Sequence, residues 1–130
     1  MYSTSETPFA ANIIAHNRTL AARLRHAIDV YRNAIAGDWH HQCRDFHSQV
    51  ADDAAWSLAQ LTGEPFDGTA TPHREQDPKT SLREVYSEIR ILLDRGGLRE
   101  RISGLQARRA GAAFLGIPYA EYVRVMGAKR

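Results

Sequence analysis

Three side chains on one predicted helix have the types and spacing to hold a metal ion: His40, Cys43 and His47. At about 100° per residue they fall within roughly a 60° arc, so two imidazoles and a thiolate share one face. A closed zinc site needs a fourth ligand. The chain has no second cysteine, so His16, His26 or His73 would have to supply it. A plainer account is that Cys43 packs as a small hydrophobe on the apolar stripe of its helix, with solvated histidines beside it. Cys43 with His40 or His47 could also form a thiolate pair, but no oxyanion hole or third orienting group is written in the sequence. Asp52 and Asp53 are adjacent on a helix and diverge by about 100°, which works against a cooperating acid–base pair. Gly96-Gly97 reads as a helix stop and not as a phosphate loop. The expectation is a protein that is not an enzyme and carries no cofactor.

The second constellation is basic. Arg108, Arg109, Arg124, Lys129 and Arg130, together with Tyr119, could clasp a phosphate backbone; a solvated basic face is the alternative. The net charge of the chain is only +2. Up to residue 80 there are seven Arg and Lys against ten Asp and Glu, and after it ten against five, so the positive charge is concentrated in the second half. Such asymmetry places a cationic surface where an anionic partner could meet it.

The elements that must position these residues are helices. Thr7-Pro8 is a good helix start and Gly37 a good stop. Between them Phe9, Ile13, Leu20, Leu24, Ile28, Tyr31 and Ile35 recur at helical spacing, broken by His16 and Asn17. Asp38 can cap a second helix to about Leu61, with Trp39, Cys43, Phe46, Val50, Ala54, Leu58 and Leu61 on one face and Gly63 past its end. The short Gly37-Asp38 link makes the pair an antiparallel hairpin. Trp56 falls off that stripe and is expected to pack on a third helix. Residues 64–79 hold three prolines and no sustained apolar period, which marks a loop or linker. Ser81 to Glu84 has the form of a capping box for a helix burying Leu82, Val85, Ile89 and Leu92 or Leu93, and Ser103 to Gln106 repeats it.

The resulting expectation is an all-α protein of five or six helices. Residues 1–63 form an N-terminal antiparallel hairpin, 64–79 a linker, and 80–130 a basic helical unit. No apolar run reaches the ~20 residues of a membrane span, and a lone cysteine agrees with a reducing cytoplasm.

Within the basic unit, Ala112 to Val125 reads as helix, tight turn, helix, with Gly116 between Leu115 and Ile117. Pro118 presets the first turn of the second helix. Residues 108–127 resemble the helix-turn-helix of bacterial and phage repressors, through Ala112 four before Gly116, Leu115 and Ile117 around it, and Tyr122 with Val125 after it. Tyr122 is bulkier than the aliphatic residue usual there, and Pro118 stands where many such modules carry a polar side chain. Gly116 to Tyr119 with Val123-Arg124 is also similar to the helix pair of ribbon-helix-helix repressors and relaxosome accessory proteins, which need a preceding β-strand. The resemblance implies a small DNA-binding regulator or mobile-element accessory protein, with Arg108, Arg109, Tyr119, Arg124, Lys129 and Arg130 on the nucleic acid. The long first helix would serve a homodimer through Leu20, Leu24 and Tyr31. A helical adaptor or inhibitor of another protein is the alternative reading, and a metal-binding bundle built on His40, Cys43 and His47 is the third.

Overall fold

The computed structural model describes residues 8–37, 44–68, 75–95 and 104–127. They form five α-helices and no strand: α1 Pro8–Ala36, α2 Arg44–Thr62, α3 Pro78–Arg95, α4 Gly104–Leu115 and α5 Tyr119–Met126. The first helix has the bounds its capping and stop residues predict. Leu20, Leu24, Ile28 and Tyr31 are buried, with Ile35 packed against the same core.

That core is shared by α1, α2 and α3. Val85, Tyr86, Ile89 and Leu92 of α3 join Leu24, Ala27 and Tyr31 of α1 and Val50 and Ala54 of α2 in one cluster, which continues into Ala112, Leu115 and Tyr122. Leu24 and Tyr31 are wholly enclosed and Leu20 is 6% exposed. The expected dimer contacts through these three residues are therefore corrected: their apolar surface is spent inside one chain, where α2 and α3 flank α1 from two sides.

Helix α2 differs from its predicted stripe. Phe46 is 55% exposed, whereas its neighbour His47 is buried, as are Asp52, Asp53 and Ser57. The apolar periodicity leaves these polar side chains out of account. The Tyr31 hydroxyl lies 2.7 Å from His47 Nδ1, with a Glu88 carboxylate oxygen 3.9 Å from the same nitrogen. Asp52 faces Arg32 and Asp53 accepts from the Gln49 amide. Buried polar groups persist where partners replace water. Trp56 packs edge-to-face on Phe66, from the loop after α2.

Helix α3 begins earlier than the Ser81 capping box predicts. Asp77 is the cap: its carboxylate accepts from the backbone amides of Lys79 and Thr80 and from the Thr80 hydroxyl, and Pro78 occupies the first helical turn. These bonds hold the Asp77 carboxyl below its ordinary range. Ser81 is fully buried instead, its hydroxyl 2.6 Å from that of Ser57 and accepting from the Gln76 amide. The same amide donates to Glu84, and the Ser81 backbone amide donates to the Asp77 carbonyl.

Candidate nucleic-acid interface

Helices α4 and α5 are joined by a left-handed glycine. Gly116 has φ +71°, its amide donates to Ala113, and the Ile117 amide donates back to Ala112. This bond pair closes the carbonyl end of α4 in a Schellman arrangement. A Cβ on Gly116 would meet nothing within 4 Å, so the position is set by backbone conformation alone. Pro118 does not enter the helix as expected. It is the extended residue before α5, and its carbonyl accepts from the Glu121 and Tyr122 amides.

Tyr122 locks α5 in place. It is fully buried, and its ring stacks on Tyr86 of α3, 5.6 Å between centroids and 5° between planes. Its hydroxyl reaches α4 at Gly111, where a Cβ would lie 2.8 Å from that oxygen. The bulk that distinguishes Tyr122 from an aliphatic residue is thus matched by a missing side chain one position before Ala112. Burial raises the Tyr122 hydroxyl pKa, with Arg90 acting against it, and burial together with Glu121 pushes that of Tyr86 up to about 12. Two polar links join the pair to α1: Arg23 bridges to Glu121 at 3.0 Å, and His26 Nε2 donates to the Leu115 carbonyl at the end of α4.

Three of the predicted contact residues converge. Arg108 Nε donates to the Tyr119 hydroxyl at 3.1 Å, and the Arg109 guanidinium stands 5.7 Å from the centre of the Tyr119 ring. Two successive arginines are thereby held at the start of α5 by one aromatic side chain, one by hydrogen bond and one by its cation–π attraction. Arg109 is exposed, whereas Arg108 and Tyr119 are partly covered. Arg124 is not part of this group. Five residues after Tyr119, it is turned about 140° around α5 and lines a groove with Leu20, Arg23 and Lys79. On α5 the exposed residues are Ala120 and Arg124.

Lys129 and Arg130 lie outside the described residues, as do Asp38, Trp39, His40, Cys43, His73, Gly96, Gly97 and Ser103. The side chains of Phe9, Ile13, His16 and Asn17 also lie outside the description. Of the metal-candidate trio only His47 is described, buried against Tyr31, and no group of metal-ligating side chains occurs among the described residues. No described helix is long and apolar enough to cross a membrane. Sequence reasoning missed Gly111, because a glycine inside a helical pattern carries no mark of what approaches it. It also missed the dual role of Tyr119, which depends on two helices meeting. Compared with known proteins, the chain matches no family model, no curated protein and no solved structure.

Proposed function

We propose that this chain is a non-enzymatic DNA-binding protein, a small regulator or mobile-element accessory factor that grips duplex phosphates at the α4–α5 junction. The observation that carries this reading is the pairing of Arg108 and Arg109 on Tyr119. Guanidinium groups already held by an aromatic side chain lose less freedom on meeting a phosphate than free ones do. An eight-residue α5 exposing Ala120 and Arg124 offers few groups to base edges. Recognition on this account rests on backbone and groove shape more than on a base code. A two-fold pair of chains would set two such junctions on successive half-sites. Titration of a labelled random-sequence duplex across a salt series tests it. Binding at low salt that weakens linearly in log–log form is the expected result, and its absence rejects the reading.

A second reading, an adaptor that binds another protein, draws on Phe46 at 55% exposure, with Ile91 and Leu105 also exposed on other helices. Exposed aromatic side chains are favoured anchors of protein interfaces. The same titration separates the two, since an adaptor has no need of the salt-dependent term.

A further inference from the structure

A groove of about 320 Å³ opens between α1, α3 and α5. Each helix gives it one apolar residue: Leu20 from α1, Leu82 from α3 and Val125 from α5. Each also gives it positive charge, from Arg23, from Lys79 and Arg83, and from Arg124. Leu20 and Leu82 are almost entirely buried, so the floor is a continuation of the core. Lys79, Arg83 and Arg124 are exposed at the rim.

The charges at the rim are only partly balanced. Glu121 neutralises Arg23. Asp77 faces Arg83, but its two oxygens are engaged in capping α3. Arg83 donates through Nε to the Val125 carbonyl, a contact that leaves its terminal nitrogens for a forked partner. Among the described residues no ion pair joins Lys79, Arg83 or Arg124 to an acid. The opposite groove, between α1 and α2, shows the contrast: there Arg25 and Arg32 are matched by Glu64, Asp67 and Asp52.

We propose that the α1–α3–α5 groove binds a small carboxylate with an apolar body, such as an aromatic acid. The volume lies at the low end of small-molecule sites, which are apolar clefts with a few placed polar groups. The body packs on Val125 above the buried Leu20 and Leu82, and the carboxylate takes the place left unbalanced among Lys79, Arg83 and Arg124. A phosphodiester would satisfy the cations but leave the partly exposed Val125 uncovered. The inference is independent of DNA binding, because Arg108, Arg109 and Tyr119 take no part in this groove.

The test is an NMR titration of the intact chain with 2-naphthoate and, separately, with the neutral 2-naphthalenemethanol. Saturable amide shifts at residues 20–23, 79–83 and 124–125 are expected for the carboxylate, with Kd on the order of 1 mM or below. The alcohol should bind roughly tenfold more weakly, as loss of a charge-assisted hydrogen bond implies. Lys79→Gln, Arg83→Gln and Arg124→Gln together, all at exposed positions, should remove that preference while leaving the alcohol's affinity as it was. No saturable shift, equal binding of the two probes, or unchanged preference in the triple variant would each overturn the proposal.

Discussion

Gly116 and Gly111 stand five residues apart and are required for different physical reasons. At Gly116 the cost of a side chain is conformational: Gly116→Ala should destabilise by about 1–2 kcal/mol through the left-handed backbone, with no packing component. At Gly111 the cost is steric. Gly111→Ala sets a methyl against the Tyr122 hydroxyl, an overpacking penalty of about 1–3 kcal/mol, partly offset by the roughly 1 kcal/mol that alanine gains over glycine in a helix. Urea unfolding of each single variant and of Gly111→Ala with Tyr122→Leu resolves the two. A coupling energy is expected only for the Gly111–Tyr122 pair. Equal midpoints for Gly116→Ala and the parent would contradict the left-handed turn. Gly116 was legible in the sequence because apolar residues flank it and a proline follows. Gly111 was not, because its partner arrives from another helix.

At the scale of elements, the ends of α1 and the left-handed Gly116 turn follow from local chemistry and agree with the sequence, whereas Pro118 precedes α5 instead of opening its first turn. The face of α2 does not, since a stripe drawn through Trp39, Cys43, Phe46 and Val50 passes over His47 as polar. Rotation of the buried face by one residue brings in His47, whose imidazole meets the Tyr31 hydroxyl. The start of α3 fails for a similar reason: two cap signals overlap, and burial of Ser81 among Ser57 and Gln76 leaves the role to Asp77. Asp77→Ala should cost about 1 kcal/mol at neutral pH, and Asp77→Asn much less, because an amide oxygen also caps. The folded Asp77 pKa is depressed, so the ionised cap's contribution is complete above the ordinary value of 3.8 and fades as pH falls through the lowered one. Denaturation midpoints of parent and Asp77→Asn, compared from pH 7 to 2, should converge toward the acid end. Parallel curves would refute that cap.

For the whole molecule, the charge step near residue 80 does not coincide with a break in packing, because α3 buries Leu82, Val85, Tyr86 and Ile89 in the core it shares with α1 and α2. A fragment of residues 80–130 should therefore show no cooperative thermal transition by circular dichroism; a sharp one would mean that the basic unit folds alone. The candidate site was legible in part: Arg108, Arg109 and Tyr119 come together, whereas Arg124 faces a different groove, a division that depends on how α5 docks against α1 and α3 and so has no local signature. The same division gives the function its sharpest test. Duplex DNA binding across a salt series should be measured for the parent, for Arg108→Ala with Arg109→Ala, and for Arg124→Ala. The double variant is predicted to bind more weakly and to flatten the log–log slope by about 2 units, near 0.9 for each phosphate no longer neutralised, with Arg124→Ala changing it by less than half as much. A double variant with the parent's affinity and slope would contradict the assignment of this junction to DNA.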